Sequence, residues 1–383
     1  MNTHRWMSTN FFSFFFTWGI FLPFWTGWLV YSKNLSITDA SLIMSMGLVA
    51  RGLSTLFAFP YLSGRFSNKV VLKGAAVGTL VSVLCYIPSQ TFTSLLLVTI
   101  FFHFFYPPLM PILDTAASRL VQNKQLEHYG KARQWGSIAF VAAGIILSLF
   151  ITAYSEDVIY YLFLLGIAVL VFLAFQKAPL ILSEKPVKNP AMTSSLMKMF
   201  HMKHFWLVLL IVVLLQASHA SYYNYGYIYL QDIGAPAYLI GVIINIAVMA
   251  EIIFFSTADR GFKRFSIGSL LALAAFGSSL RWILVFAFPS VVVFSFAQIL
   301  HACSFAMAHY AFMQYLIRYI PQHQIPKVQG LYSALALSWS TAVFTLFGGY
   351  LYEIKPGYAF LGMVVSTIPA LLLALRYRIV EDK

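Results

Sequence analysis

Two short loops in different halves of this chain have related sequences. Residues 62–69 read LSGRFSNK and residues 257–264 read TADRGFKR, each directly after a long apolar run. Both loops place a small residue before Gly or Asp, follow it with an arginine and end in basic charge. Because self-similarity between the halves of a chain marks a repeated architecture, this pair predicts a fold built from two similar units.

The composition excludes a water-soluble protein. Of the 383 residues, 60% are hydrophobic and only 10% are charged, whereas a soluble domain carries roughly 25% charged residues. The net charge of +13 could suggest a nucleic-acid binder, but bases scattered through an apolar chain are typical of loops facing anionic lipid. We therefore expect a lipid bilayer, and no nucleic acid, among the partners.

Apolar runs of membrane-spanning length occur twelve times. A helix needs about 20 mostly apolar residues to cross a bilayer. The predicted spans are 8–31, 39–62, 70–88, 91–118, 132–153, 157–177, 205–230, 237–257, 266–288, 290–318, 327–352 and 356–376. The sequence therefore predicts an all-α integral membrane protein with two six-helix bundles, 1–177 and 205–383, joined by a polar, proline-containing linker at 178–204.

The basic residues predict the orientation of these spans. Twelve spans put both termini on one side, and 21 of the 25 lysines and arginines fall on that side, with only Lys33 and Lys355 in the opposite loops. Positive charge concentrates in cytoplasmic loops. We therefore expect both termini in the cytoplasm and a bacterial-type inner membrane protein.

The paired loops resemble the loop motif of the major facilitator superfamily, G-x-L-x-D-R-x-G-R-K. The second copy matches better, because the first has Gly64 where the family has Asp. The resemblance implies two pseudo-symmetric bundles of the major facilitator fold and a cytoplasmic latch between helices. The candidate latch residues are Asp259, Arg260 and Arg65; an ordinary basic loop is the alternative.

Three further stretches resemble the 3-phenylpropionate permeases, relatives of the oligosaccharide and nucleoside proton symporters. These are YGKARQWGS at 129–137, FFTWGIFLPFW at 15–25 and the dipeptide Leu300-His301. In the symporter families, an acid on helix 4 and the arginine of the G-x-A-R element bind the substrate. The resemblance carries these roles to Asp114, with a one-residue shift, and to Arg133.

Several charged residues fall inside the apolar runs, where a charge costs about 2.5 to 3.5 kcal/mol. They are Arg51, Asp114, Glu251 and Arg281. Each could serve transport, form a structural ion pair or extend its charge to the membrane surface. Three prolines precede Asp114, and His103 lies eleven residues before it, which on a continuous helix is nearly the same face.

Helices 7 and 10 carry polar stripes. Gln216, His219, Tyr223 and Tyr227 recur at helical spacing, which suits either a wet aromatic cavity or hydrogen bonds between helices. On helix 10, Gln298, His301 and Ser304 follow at intervals of three. In the lactose-type symporter the same places hold Lys, His and a proton-carrying Glu, so only the histidine is retained.

The proton carrier must therefore be another group. Glu251 is our first choice, because a carboxyl group flanked by Ala250, Ile252 and Ile253 would be desolvated and protonatable near neutral pH; Asp114 and His301 follow. Arg133 and Arg281 could bind a carboxylate while tyrosines receive an aromatic ring. A sugar or nucleoside read by Asp114, Gln216 and Gln298 is the alternative, and the residues do not decide the direction of transport.

The sequence lacks the common motifs of nucleotide-binding and hydrolytic enzymes. It contains no P-loop, G-x-S-x-G or H-E-x-x-H motif, and Cys85 and Cys303 lie far apart in apolar segments. We expect no enzyme, cofactor or metal site. The predicted function is secondary active transport by a monomer whose partners are a small molecule and protons, and a membrane sensor or assembly protein that does not transport is the alternative of another class.

Overall fold

The described part of the chain is helical. The structure is a computed structural model that describes residues 3–185, 204–262, 264–321 and 324–381. Twelve of its helices are long and apolar enough to cross a membrane. They are α1 (Thr3–Tyr31), α2 (Ile37–Ser63), α3 (Asn68–Cys85), α4 (Phe92–Gln122), α5 (Tyr129–Ala153), α6 (Asp157–Phe175), α7 (Phe205–Asp232), α8 (Ala237–Gly261), α9 (Ile267–Ala287), α10 (Val291–Tyr319), α11 (Lys327–Ile354) and α12 (Pro356–Glu381). The predicted all-α, twelve-span fold is confirmed, and each predicted span overlaps one of these helices.

Side-chain caps set where several helices begin. Ser36 accepts a backbone N–H at 3.0 Å at the start of α2, and Ser266 and Ser290 do the same at 3.2 Å for α9 and α10. Thr91 and Ser94 form a reciprocal capping box at α4. These oxygens satisfy N–H groups that the first turn of a helix leaves without partners. Short polar residues therefore mark the helix starts that the apolar runs only approximate.

Several helices are irregular near their middle. α4 breaks between Phe105 and Leu109, where Pro107 and Pro108 remove backbone donors, and α7 breaks between Ala217 and Ala220. α2, α10 and α11 each contain a π-helical segment, at Ser54–Ala58, Ala302–Ala306 and Leu335–Trp339. Such segments rotate the side chains that follow them and are frequent at functional sites.

The described residues group into two compact units. The first holds the described residues up to 185 together with 237–242, and the second holds 204–236 and 243–381. Most of the predicted linker, 178–204, lies outside the described residues. Its described part contains one short 3-10 turn, Leu180–Ser183.

A close backbone approach in one unit and a side-chain carboxylate in the other join neighbouring helices. In the first unit, α1 packs on α5, where a Cβ on Gly19 would lie only 2.7 Å from the carbonyl oxygen of Phe140. In the second unit, the carboxylate of Glu381 at the end of α12 accepts the N–H groups of Ile267 at 2.9 Å and Gly268 at 2.7 Å. A negative charge at this position stabilises the N-terminus of α9.

Candidate functional site

Asp114, Tyr129 and Arg133 come together in the first unit. Asp114 lies on the segment of α4 that follows the proline break, and Tyr129 and Arg133 are four residues apart on α5 and share a face. The Tyr129 hydroxyl donates to Asp114 Oδ1 at 2.8 Å. The Arg133 guanidinium lies within electrostatic range of both. Tyr129 therefore stands between the acid and the arginine that the sequence paired.

Aromatic rings support Arg133 from α1. Its guanidinium carbon lies 3.7 Å from the ring centroid of Phe15 and 5.7 Å from that of Phe11. A Cβ on Gly136 would lie 2.5 Å from the Phe15 ring and 3.0 Å from Arg133 Nη1, so glycine makes room for this stack. An aromatic face stabilises a cation without engaging its N–H donors. The half-buried Arg133 can therefore offer hydrogen bonds to a carboxylate.

A chain of hydrogen bonds joins Arg281 to Glu251 in the second unit. Arg281 Nη1 donates to His301 Nδ1 at 2.6 Å, and Nη2 donates to Gln298 Oε1 at 2.7 Å. His301 Nε2 lies 2.7 Å from Glu251 Oε1. Arg281 is fully buried, whereas 23% of the Glu251 side chain is exposed. The chain thus runs from a buried cation to a carboxyl group with access to its surroundings.

The hydrogen positions along this chain follow from the donors. A guanidinium can only donate, so His301 Nδ1 accepts, and Nε2 of the neutral ring carries the hydrogen that faces Glu251. A neutral histidine therefore links an arginine and a carboxylate of opposite charge. Protonation of Glu251 would remove the negative charge and leave Arg281 without its counter-charge.

His219 joins this cluster at the break in α7. Its Nδ1 lies 3.0 Å from the carbonyl oxygen of Leu215, and its Nε2 lies 3.0 Å from Ser304 Oγ. The same hydroxyl lies 3.4 Å from Arg281 Nη1. The structure therefore brings together four predicted site residues from α7, α9 and α10, which are His219, Arg281, Gln298 and His301.

The α7 stripe and the tyrosines beside it contact several other helices. The Tyr223 ring lies 6.0 Å from the His219 ring and 6.3 Å from the His301 ring, on the side of the charged cluster. The buried Gln216 lies beside the Tyr332 hydroxyl of α11. The neighbouring tyrosines donate to backbone carbonyls of other helices; they are Tyr222, Tyr225 and Tyr229. Hydrogen bonds between helices therefore form beside the stripe, and a wet aromatic cavity along it stays a prediction.

Arg51 lies midway along α2 over an indole ring. Its guanidinium carbon is 5.5 Å from the Trp18 ring centroid, and both side chains are half-buried. Twelve residues separate Arg51 from Ser63, the nearer end of the helix, which is about 18 Å. That distance exceeds the reach of an arginine side chain, so the guanidinium does not extend to either end of α2.

His103 and Asp114 do not share one face of a continuous helix. The expectation is wrong because α4 breaks between them. The buried His103 lies with Nδ1 2.9 Å from the Thr99 carbonyl oxygen, and its ring packs on Gly47 of α2. Its contacts are those of a core residue.

The candidate latch residues lie at the ends of α2 and α8. Asp259 accepts a hydrogen bond from the Tyr310 hydroxyl at 3.0 Å. Arg65 lies 4.2 Å from the Tyr61 ring centroid, and Arg260 is exposed. The tyrosine therefore holds Asp259, and a latch through charge pairing stays a prediction.

Sequence reasoning missed the aromatic partners of the arginines. The Arg281 guanidinium is enclosed by the rings of Tyr222, at 4.6 Å, and Trp282, at 4.4 Å. Tyr129 could have been identified, because its spacing of four from Arg133 places the two side chains together on a helix. Phe15 lies on another helix, and nothing in its spacing links it to Arg133.

Comparison with known sequences covers nearly the whole chain. The sequence model of the MFS_1 like family matches residues 4–361. A probable 3-phenylpropionic acid transporter of Escherichia coli (strain K12) is 32% identical over 375 residues, 97% of each chain. A maltose permease of Geobacillus stearothermophilus is 27% identical over 376 residues, 96% of this chain and 94% of the permease.

Solved transporter structures share the fold. The nucleoside transporter NupG superposes with a TM-score of 0.79 at 16% identity over 100% of both chains. A peptide transporter POT in complex with sulfate gives 0.80 at 10% identity, over 100% of this chain and 94% of that one. The family match and the 32% identical relative point to a membrane transporter and not to an enzyme or a non-transporting sensor. The chain belongs to the MFS_1 like family and is a twelve-span transporter of the major facilitator type.

Proposed function

We propose that this transporter couples the uptake of a small aromatic carboxylate, of the 3-phenylpropionate kind, to the entry of protons. The observation that carries the proposal is the row of contacts from the buried Arg281 through His301 to the partly exposed Glu251. One proton at Glu251 changes the charge balance of all the side chains in this row. The substrate class is supported by the 32% identity with the probable 3-phenylpropionic acid transporter.

Arg133 is the proposed ligand of the substrate carboxylate. Its guanidinium rests on Phe15 and is half-buried, so its N–H donors can turn to an incoming anion. Asp114, held by Tyr129, would then lose part of its attraction to Arg133 and could take up a proton as the second candidate carrier. Substrate binding would thereby change the charge of the first unit.

The second unit is proposed to carry the coupled proton. Glu251 is the carrier, and His301 positions it against Arg281. His219, Gln298 and Tyr223 are proposed to complete the site around this carrier, with Gln216 at its margin. One proton and one carboxylate together carry no net charge, so the pH gradient is the driving force. Each pH unit is worth about 1.4 kcal/mol, which supports roughly tenfold accumulation.

The proposed setting is the cytoplasmic membrane of a bacterium, with both termini inside. The excess of basic residues on the side of the termini supports this orientation. We also propose that 1–177 and 205–383 act as the two bundles of a monomer. Asp259, Arg260 and Arg65 would latch helix ends during the cycle.

Transport of a sugar is the second candidate. It is supported by the 27% identity with a maltose permease. Asp114, Gln216 and Gln298 would then accept and donate hydrogen bonds to hydroxyl groups. A neutral competitor that displaces an aromatic acid would favour this candidate.

Uptake into liposomes containing the purified protein tests the proposal. Labelled 3-phenylpropionate is offered with and without an inward proton gradient, and protein-free liposomes correct for passive entry of the weak acid. We expect gradient-driven accumulation that a protonophore abolishes and that maltose does not inhibit. Accumulation that does not depend on the gradient would contradict proton coupling. Inhibition of 3-phenylpropionate uptake by maltose would favour a sugar as the substrate.

A further inference from the structure

A second histidine of α10 continues the line of His301. The rings of His301 and Phe305 lie 5.2 Å apart at an interplanar angle of 10°, and those of Phe305 and His309 lie 6.4 Å apart at 4°. The three rings form one stack along a face of α10. The stack extends from the Glu251 cluster toward the C-terminal end of the helix.

The π-helical segment Ala302–Ala306 produces this stack. On a regular α-helix, residues eight apart point about 80° away from each other. A π segment adds one residue to a turn, so eight residues here span the rotation of about seven, which returns close to the starting face. The irregular turn therefore places His309 in line with His301.

Polar and titratable groups surround His309 on the adjoining helices. Its Nδ1 lies 3.2 Å from the Tyr332 hydroxyl of α11. Glu251 of α8 lies within electrostatic range, and Phe255, one turn further along α8, places its ring edge-on at 6.3 Å. Gln216 of α7 adjoins the same tyrosine. The half-buried His309 therefore contacts the Tyr332 hydroxyl and lies within electrostatic range of the Glu251 carboxyl group.

We propose that His309, positioned by Tyr332, receives the proton that Glu251 releases and passes it toward the cytoplasm. The O–H bond of Glu251 breaks, an imidazole nitrogen of His309 takes the proton directly or through one water, and His309 then loses it to solvent water. Glu251 is left as a carboxylate that again balances Arg281. No other co-reactant is needed.

The direction follows from the helix and the charge distribution. His309 lies eight residues beyond His301, about 12 Å along α10. That end of α10 carries Arg318, which the distribution of basic residues assigns to the cytoplasmic side. The inference therefore rests on the proposed proton coupling and orientation.

Two assays on the full-length protein in liposomes test this path. The first measures 3-phenylpropionate accumulation driven by an inward proton gradient. The second measures exchange of labelled for unlabelled 3-phenylpropionate at equal concentration and equal pH on both sides, which needs no net release of protons. The variants are His309→Gln and Tyr332→Phe, and the matched control is His128→Gln, at an exposed position before α5.

We expect accumulation to fall at least tenfold in His309→Gln and at least threefold in Tyr332→Phe. Exchange should fall less than threefold in both, and His128→Gln should match the unchanged protein. Wild-type accumulation in His309→Gln would overturn the inference. Parallel loss of accumulation and exchange in both variants would also overturn it, because the two residues would then serve substrate binding or folding.

The proposed proton coupling and the proposed exit through His309 can fail independently. If the unchanged protein ignores the gradient, the proposed coupling is wrong and His309 has no proton to carry. If the unchanged protein is coupled and His309→Gln accumulates normally, only the exit through His309 is wrong.

Discussion

The two units balance the charge of their arginines in different ways. Arg133 of the first unit is half-buried and rests on the Phe15 ring, while its neighbouring acid is held by a tyrosine. Arg281 of the second unit is fully buried and donates to His301 and Gln298. A cation on an aromatic face can exchange anionic partners, whereas a buried cation in a fixed chain depends on the partners it has. This difference favours the first unit for the substrate anion and the second for the proton.

Removing the buried cation should produce the largest effect. Arg281→Gln leaves Glu251 without its counter-charge and His301 without its charged donor. Breaking a buried ionic arrangement costs about 3 to 5 kcal/mol. We expect the free energy of unfolding to fall by that order and exchange to fall at least 100-fold. Thermal unfolding and exchange in liposomes measure the two effects.

Arg281→Lys sharpens this test, because one ammonium group cannot reproduce the two-armed contact with His301 and Gln298. It should restore part of the stability and little of the exchange. Near-normal stability and exchange in Arg281→Gln would contradict a fixed chain in the second unit.

Removing the cation of the first unit should affect binding more than folding. Arg133→Gln loses charged hydrogen bonds worth about 1.5 to 3 kcal/mol, so the Kd for 3-phenylpropionate should rise roughly 10- to 100-fold. The Kd for the neutral 3-phenylpropionamide should change less than twofold. Binding to purified protein by calorimetry measures both.

Arg5→Gln, at an exposed position on α1, is the matched control and should leave both Kd values unchanged. Equal loss of affinity for the acid and the amide in Arg133→Gln would remove Arg133 as the carboxylate ligand.

The tyrosine between Asp114 and Arg133 should have a smaller effect. Tyr129→Phe deletes one hydrogen bond to Asp114, worth about 0.5 to 1.5 kcal/mol, and keeps the ring that packs edge-on against Phe11 at 6.0 Å. We expect the Kd for 3-phenylpropionate to rise about 3- to 10-fold. The control Tyr154→Phe, at a side chain that is 74% exposed, should leave this Kd unchanged. An unchanged Kd in Tyr129→Phe would contradict a role of the Tyr129–Asp114 hydrogen bond in substrate binding.

The candidate latch should give the smallest effect of the series. Asp259→Asn removes a charge but can still accept the hydrogen bond from Tyr310. The exchange rate should fall about two- to threefold while the Kd stays the same, as measured by initial exchange rates and calorimetry. A changed Kd with an unchanged rate would contradict a latch.

The helices were predictable because the bilayer imposes a length of apolar sequence. Runs such as 237–257 correspond to helices such as α8, Ala237–Gly261, with differences of a few residues at the ends. The charges inside these runs were equally visible, since Glu251 and Arg281 stand alone among apolar residues. The free-energy cost of a charge inside the bilayer made them candidates before any contact was known.

Two of the irregular turns were not predictable from the sequence. The break in α7 and the π segment after His301 contain no proline, so no residue type marks them. Their geometry depends on the packing of neighbouring helices, which composition does not record. The same applies to Phe15, whose contact with Arg133 joins residues more than 100 positions apart.

The separate tasks of the two units can be tested most directly at Glu251. Glu251→Gln keeps the size and hydrogen-bonding capacity of the side chain but cannot carry a proton, and Glu127→Gln, at an exposed position, is the control. Exchange and gradient-driven accumulation of 3-phenylpropionate are measured on the same liposomes. We predict that exchange in Glu251→Gln stays within about threefold of the unchanged protein while accumulation falls to its level without a gradient. Accumulation equal to that of the unchanged protein would contradict Glu251 as the proton carrier.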